Sequence, residues 1–361
     1  MSNIKSAYIH IPFCKSICSY CDFSKMYYNS NFVNSYLNAL SNEIKEDYKG
    51  EMLDTIYIGG GTPSALNIDE LKRLFLITNT LNLSDNYEFT IECNIEDVTK
   101  EKLELFKNNK VNRISIGVQS FNNKILKYLN RKYDSEIILK KINLAKKYFD
   151  NINIDLIYAV NGETIEDLKK NLELFLELDI PHISCYSLII EKNTILYSKN
   201  EKYINEDLDR LMYDTIEKIL SKKYNHYEIS NYSKKGFESK HNLCYWNNKE
   251  YYGFGLSAAS YIENKRINNT RNLKKYIEFN RDKEEEILTK EDKIRYELIL
   301  GFRKIKGINK KNFYNKYNID IHDLYNINEL LKKGYLNEDD EYIFIPKEYI
   351  YVSNDILINF I

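Results

Sequence analysis

Three of the six cysteines fall in one short segment near the start of the chain. Cys14, Cys18 and Cys21 follow directly after a β-rich run. The remaining three are isolated in the sequence: Cys93, Cys185 and Cys244. A structural zinc site takes four protein ligands, whereas three thiolates suit a [4Fe–4S] cluster in which one iron has no protein ligand. That open iron can chelate the amino and carboxylate groups of S-adenosylmethionine (SAM), and an electron from the cluster can then cleave SAM to a 5′-deoxyadenosyl radical. The spacing therefore predicts an iron–sulfur site, with zinc as the alternative.

Short β-rich runs alternate with segments whose apolar residues have helical spacing. The predicted strands are Ala7–Pro12, Thr55–Gly61, Tyr87–Asn94, Arg113–Gln119, Asn151–Tyr158 and His182–Ile190. The predicted helices between them are Phe32–Tyr48, Ile68–Leu81, Lys100–Asn108, Lys124–Leu129, Ser135–Phe149 and Glu163–Leu178. This alternation predicts parallel βαβ units with right-handed crossovers. We therefore expect an α/β fold, a partial (β/α)6 barrel, with the functional site at the C-terminal ends of its strands.

The pattern changes after residue 190, where the regular alternation stops. The further predicted elements are a helix over Leu208–Lys222, a strand over Tyr227–Tyr232, a helix opened by a capping box at Thr289, and a hairpin near Tyr335–Pro346. A charge run, Arg281–Glu286, indicates a boundary. We expect two domains: the barrel with its extension over 1–285, and a small α+β, winged-helix-like domain over 286–361.

Charge and composition exclude several function classes. The 361 residues include 52 Lys and Arg against 53 Asp and Glu, a net charge of -1, which argues against a globally basic nucleic-acid binder. One basic segment, Arg303–Lys316, could belong to a nucleic-acid or protein-binding module, but a solvated helix face explains it more simply. No apolar run approaches the roughly 20 residues that span a bilayer, and no signal peptide is apparent. We therefore expect a cytoplasmic protein with no nucleic-acid partner.

The segment Tyr8–Phe23 resembles the radical SAM signature of one family group. This group contains the coproporphyrinogen III dehydrogenases (HemN) and the heme chaperones (HemW). Further motifs of the group match in the same order: Ile58–Pro63, Ile91–Asn94, Ile116–Phe121, Ile154–Tyr158 and His241–Trp246. The resemblance extends over essentially the whole chain.

The resemblance implies two cofactors and the residues that bind them. Cys14, Cys18 and Cys21 would bind the [4Fe–4S] cluster. The implied SAM-binding residues are Tyr8, Tyr20, Gly60, Gly61, Thr62, Glu92, Gln119, Arg131 and Asp155. The glycines would let the backbone approach SAM, because a Cβ there would block it. The last three residues match positions that hold a second SAM in the dehydrogenase. Without the family, the glycines could form only a strand-to-helix turn, and Glu92 could be a solvated carboxylate.

Two features of the sequence favour the chaperone branch over the dehydrogenase branch. The dehydrogenase has a further cysteine two positions after the third, where this chain has Phe23. The dehydrogenase also has a long N-terminal extension, whereas seven residues precede Tyr8 in this sequence. We expect a heme chaperone that binds heme and transfers it to respiratory hemoproteins. The alternative is an oxygen-independent coproporphyrinogen III dehydrogenase, which decarboxylates its porphyrinogen substrate oxidatively.

The expected heme ligand lies in the last of these motifs. His241 precedes Tyr245 and Trp246, and a neutral imidazole is a natural axial ligand to heme iron. The alternative is a structural histidine. We interpret the isolated cysteines as packed free thiols, although Cys244 could be a second soft ligand. A homodimer, and an indirect membrane association through a recipient hemoprotein, are further expectations.

Overall fold

A nine-stranded sheet forms the framework of the protein in the computed structural model, which describes residues 4–280, 282–324 and 326–361. Its strands are β1 (Ser6–Ile11), β2 (Leu53–Gly60), β3 (Leu83–Asn94), β4 (Arg113–Gln119), β5 (Asn151–Tyr158), β6 (His182–Ser187), β7 (Asn225–Glu228), β8 (Asn231–Ser233) and β9 (Tyr252–Phe254). Their spatial order is β9-β1-β2-β3-β4-β5-β6-β8-β7. Strands β9 to β6 in this order are parallel, and the β7–β8 hairpin adds antiparallel strands at the β6 edge. The core is thus the parallel α/β sheet of the predicted partial barrel.

Helices cover the outer face of this sheet and connect its strands. The helices are α1 (Ser30–Asp47), α2 (Ile68–Thr78), α3 (Lys100–Asn108), α4 (Asn123–Tyr128), α5 (Ser135–Ala145), α6 (Ile165–Leu178), α7 (Ile195–Ser198), α8 (Glu206–Leu220), α9 (Lys240–Trp246), α10 (Leu273–Ile277), α11 (Lys290–Gly301), α12 (Lys310–Tyr317), α13 (Ile327–Lys332) and α14 (Ser353–Leu357). Short 3₁₀ segments lie at Pro63–Ala65, Ile95–Asp97, Ile321–Asp323, Lys347–Val352 and Ile358–Phe360. The crossover helices α1 to α6 each begin after an Asn, Asp or Thr whose side chain accepts a backbone N–H of the first turn.

The strands alternate between an apolar face and a polar face. In β1, Ala7, Ile9 and Ile11 belong to the main apolar core, whereas the intervening Tyr8 and His10 contact each other inside the barrel. This alternation follows from the two-residue period of a strand. The barrel interior is consequently polar, and the side chains that could bind a cofactor point into it.

Part of the sheet differs from the prediction made from the sequence. The single strand predicted over Tyr227–Tyr232 is wrong, because β7 and β8 form a hairpin whose turn at 229–230 contains neither glycine nor proline. Strand β9, which pairs in parallel with β1, was not predicted either. Its three residues are too few for periodicity to identify.

The C-terminal segment has its own apolar core. Residues of this core include Leu298, Phe302, Phe313, Ile343 and Phe360. A three-stranded sheet of β13 (Ile308–Asn309), β14 (Asn337–Glu338) and β15 (Tyr342–Phe344) packs here with α11 to α14. A separate sheet of β10 (Ala259–Ile262), β11 (Lys265–Asn268) and β12 (Glu284–Ile287) precedes it. The capping box predicted at Thr289 is confirmed, with Asp292 as its partner.

Two further sequence expectations concern the domain boundary and membrane-spanning helices. The charge run that suggested the domain boundary begins at Arg281, which lies outside the described residues. None of the helices within the described ranges has the length and apolar character needed to cross a bilayer.

Candidate functional site

A cavity of about 630 Å³ opens at the C-terminal ends of the parallel strands. It brings together most of the residues that the sequence predicts for the site: Cys14, Cys18, Tyr20, Cys21, Gly60, Gly61, Thr62, Glu92, Gln119, Arg131 and Asp155. Tyr8 and His241 do not line this cavity. The C-terminal segment completes its wall with Ile350 and Tyr351.

The cysteine loop forms one end of this cavity. Cys14 ends a two-residue strand, Phe13–Cys14, that pairs in parallel with Met26–Tyr27, and the loop between these strands contains Cys18 and Cys21. All three thiols are free. The Thr62 hydroxyl donates to Cys14 Sγ at 3.5 Å. Burial raises the pKa of the Cys14 thiol to about 11, so metal binding, which requires the thiolate, must release protons here.

The donor set of this loop fits an iron–sulfur cluster. Three free thiols on one loop face one cavity, and thiolate sulfur is the ligand that these clusters take. Over residues 4–280, 282–324 and 326–361, no three His, Cys, Asp or Glu side chains are close enough to hold a single metal ion. A cluster of four irons is wider than one ion, and its ligands stand farther apart.

A chain of hydrogen bonds connects the cysteine loop to the opposite wall. Asn94 Nδ2 donates to Thr62 Oγ1 at 3.2 Å, and Arg131 Nη1 donates to Asn94 Oδ1 at 3.0 Å. Arg131 Nη2 then donates to the Tyr20 hydroxyl at 2.6 Å, within the loop that begins at Cys14. Sequence reasoning placed Asn94 in a motif but missed it as a site residue. Its position at the end of β3 was the available signal.

Neighbouring protein atoms leave no room for a side chain at Gly60 or Gly61. Gly60 has φ +114°, and a Cβ added there would lie 2.5 Å from the His10 imidazole. A Cβ on Gly61 would lie 2.6 Å from the backbone of Pro12. The expected reason for these glycines, close approach to SAM, is therefore not needed to explain them, because neighbouring protein atoms already exclude a side chain. Both residues still line the cavity.

Two half-buried carboxyl groups face the cavity from the ends of β3 and β5. Glu92 accepts from the Tyr57 hydroxyl at 2.8 Å and from the Gly60 N–H at 3.0 Å. Burial, with a smaller contribution from nearby Asp155, raises the pKa of Glu92 to about 7. Asp155 accepts from Ser115 Oγ at 3.3 Å, and burial raises its pKa as well. Near neutral pH, Glu92 is thus poised between its two protonation states.

Gln119 has an unusual backbone conformation at the end of β4. Its φ is +71°, in the left-handed region that residues other than glycine adopt infrequently. Its amide nitrogen occupies the space beside Gly117, where an added Cβ would lie only 2.9 Å away. Such strain often occurs at sites that bind ligands, and here it holds the side chain in the cavity wall.

The structure places His241 away from the main cavity, and its expected role as a heme ligand stays a prediction. Its Nδ1 lies 2.8 Å from Thr55 Oγ1, and its Nε2 lies 2.8 Å from the Tyr245 hydroxyl. The side chain is 1% exposed, and burial lowers its pKa to about 3. Both ring nitrogens of this neutral imidazole therefore have partners inside the protein, away from the main cavity. Cys244, the other candidate in this motif, does not line the main cavity either.

Comparison with known proteins places this geometry in a family. The model of the radical SAM superfamily matches residues 8–175, and that of the HemN C-terminal domain matches residues 288–348. A protein named heme chaperone HemW from Lactococcus lactis is 39% identical, over 99% of this chain and 97% of its own. The chain belongs to the HemW family of radical SAM proteins. A second HemW, from Bacillus subtilis, is 36% identical over 98% of both chains.

The fold of this HemW-family protein is also found in a solved structure. Coproporphyrinogen III oxidase (HemN) from Escherichia coli, a radical SAM enzyme, superposes with a TM-score of 0.85. The alignment covers 99% of this chain and 90% of HemN, at 22% sequence identity. The two proteins therefore share their fold. Membership of the radical SAM superfamily implies a [4Fe–4S] cluster and SAM as cofactors.

Proposed function

We propose that this protein is a heme chaperone, which binds heme and transfers it to respiratory hemoproteins. The observation that carries the proposal is its similarity to proteins named heme chaperone HemW over nearly their whole length. Cys14, Cys18 and Cys21 would bind the [4Fe–4S] cluster. The dimer and the membrane association expected from the resemblance stay predictions.

The residues around the cavity suit the chemical groups of SAM. The cluster, when bound, supplies an iron that chelates the amino and carboxylate ends of SAM. SAM also carries a sulfonium cation, and the Glu92 and Asp155 carboxylates would lower the free energy of a cation in this buried site. Arg131 and Gln119 offer donors on the opposite wall. Tyr20 stays within hydrogen-bond distance of Arg131 and would keep that guanidinium in position.

The alternative, coproporphyrinogen III dehydrogenase, has no observation of its own in this chain. The similarity to HemN is 22% identity, which establishes a common fold. At the position where the resemblance places a further cysteine, Phe23 is 67% exposed beside the cavity. An apolar ring there offers no ligand or acid. The dehydrogenase reaction is therefore one outcome of the test below.

One anaerobic experiment separates the two activities. The reconstituted protein is incubated with coproporphyrinogen III, SAM and a reductant, and the products are analysed by mass spectrometry. The same preparation, loaded with hemin, is mixed with an apo-hemoprotein of the respiratory chain, and transfer is followed by absorbance. We expect heme transfer without a tetrapyrrole product. Protoporphyrinogen IX formed together with 5′-deoxyadenosine, or failure to transfer heme, would overturn the proposal.

A further inference from the structure

A second cavity, of about 450 Å³, lies on the other side of the cysteine loop. Asp22 and Phe23, directly after Cys21, contribute to the walls of both cavities. Its wall also contains Tyr8, His10, Ser24, Tyr245, Tyr251 and Arg271. Its volume lies within the usual range for small-molecule and cofactor sites.

Aromatic rings provide much of the surface of this second cavity. The rings of Tyr245 and Tyr251 pack edge to face with their centroids 4.6 Å apart. Phe23 exposes 67% of its surface at the entrance. Exposed or cavity-lining aromatic faces can stack on a flat macrocycle. The wall therefore suits a planar aromatic ligand better than a small polar one.

His10 is the one histidine, among the described residues, that lines the main or the second cavity. The other four are engaged elsewhere, by contacts to Asn153 and Tyr227 (His182), Glu217 (His226), Thr55 and Tyr245 (His241), and Asp320 and Glu338 (His322). An imidazole that is to bind iron must have a nitrogen at a cavity surface. His10 lines the second cavity with 5% of its surface exposed, and its Nε2 reaches that cavity only if the bond to the Ser24 carbonyl opens.

The hydrogen bonds of His10 allow it to present a lone pair. Nε2 lies 2.8 Å from the Ser24 carbonyl, which can only accept, so Nε2 carries the proton in this structure. Nδ1, 3.0 Å from the Tyr8 hydroxyl, is then the acceptor. A hydroxyl can also accept, so the proton can move to Nδ1 when Ser24 withdraws, which frees Nε2 for a metal. Ligating histidines commonly donate their second N–H in this way.

Arg271 supplies an unpaired cation at the same cavity. It is exposed, and it makes no hydrogen bond or ion pair with any residue in the described part of the chain. A guanidinium binds a carboxylate through two parallel hydrogen bonds, which makes it the preferred partner for such an anion. Asp22 is the one acid among the described residues of this wall, and it lies on the cysteine-loop side.

We propose that heme binds in this second cavity, with His10 as an axial ligand and Arg271 paired with a propionate; the inference rests on the proposed heme-chaperone function. The bound heme would lie beside the loop that contains Cys18 and Cys21. Binding would displace the Ser24 carbonyl, three residues after Cys21. Tyr245, whose hydroxyl is bonded to His241, would then connect the His241 motif to the heme site without making His241 a ligand.

The test is an anaerobic hemin titration of the full-length reconstituted protein, followed by absorbance. Arg271→Glu changes an exposed side chain and should raise the Kd for hemin at least about tenfold, because a charge-assisted hydrogen bond is replaced by repulsion. His10→Ala should remove the histidine-ligated spectrum, and added imidazole should restore it. A merely structural role for His10 predicts no such rescue.

Matched variants control for charge and for loss of any histidine. Lys311→Glu makes the same charge change at an exposed position on α12, and His322→Ala removes a half-buried histidine of the C-terminal segment that lines neither cavity. Both should bind hemin like the wild type. An unchanged Kd in Arg271→Glu, or imidazole rescue in His241→Ala in place of His10→Ala, would overturn the assignment of the site. Failure of the wild-type protein to bind hemin would instead overturn the proposed function.

Discussion

Replacing Cys14, Cys18 and Cys21 together by alanine should abolish iron binding and visible absorbance after anaerobic reconstitution. The three thiols lie on one loop at one end of the main cavity, and a cluster has no other cysteine on that loop. Iron analysis and absorption spectroscopy provide the measurement. Cys244→Ala is the control, because this buried thiol lies outside the main cavity and should leave the cluster intact. A cluster retained by the triple variant would contradict the assignment.

Glu92 should make SAM binding depend on pH. Its pKa is raised to about 7, chiefly by burial, so the carboxylate that would attract the SAM cation is lost as the pH falls through 7. If SAM binds the ionised form, its affinity should fall about tenfold between pH 8 and pH 6. Calorimetry at several pH values measures this. Glu92→Gln should bind SAM weakly at every pH, and a pH slope that persists in this variant would assign the titration to another group.

Residue types predict the chemistry of a site more readily than they predict where each side chain lies in the fold. Cys14, Cys18 and Cys21 could be predicted together because they are close in sequence and stay on one loop. His241 could not be placed, since nothing in its motif shows that the imidazole turns toward Thr55 inside the barrel. Asn94 was missed for a related reason. Its partner Arg131 lies 37 residues away in the loop between α4 and α5, and the two meet only in the folded protein.

At the scale of elements, the turn after β2 depends on the space beside Gly60. Gly60→Ala places a Cβ against His10 at a residue with φ +114°, so strain and steric overlap add. We expect a loss of about 2–5 kcal/mol in the free energy of unfolding. Gly236→Ala is the control, because its φ is +87° but its Cβ would meet open space. It should cost only about 1–2 kcal/mol.

Thermal and denaturant unfolding of the apo-proteins distinguishes these two substitutions. Equal losses in Gly60→Ala and Gly236→Ala would show that the His10 contact relaxes and that backbone strain alone matters. Using the apo-protein keeps the comparison independent of cofactor binding.

The accuracy of the predicted elements follows their length and burial. Strands β4 and β5 have the predicted bounds, because apolar residues at every second position over seven or eight residues define them in the sequence. The β7–β8 hairpin and β9 were missed because each strand has only three or four residues, and because β8 and β9 also pair with strands that are distant in sequence. Long-range pairing of short strands leaves little local signal.

At the scale of the whole molecule, the C-terminal segment closes the site that the barrel builds. Tyr351 packs against Tyr213 of α8 with ring centroids 5.4 Å apart, and the Arg210 guanidinium lies 5.2 Å from the Tyr351 ring. The Ile229 N–H in the β7–β8 turn donates to the Arg303 carbonyl at 3.1 Å. These contacts place Ile350 and Tyr351 at the wall of the main cavity. A separate apolar core thus acts as one side of a common pocket.

Tyr351→Ala should make the cluster more sensitive to air. The substitution removes a ring from the cavity wall and its packing on α8, so solvent and oxygen should reach the cysteine loop more easily. We expect the visible absorbance of the reconstituted protein to decay several-fold faster on exposure to air. Tyr314→Ala removes a ring of the same segment that is 52% exposed and away from the cavity, and it should decay like the wild type. Identical decay in both variants would mean that oxygen enters by the cysteine loop itself, whose Phe23 already faces solvent.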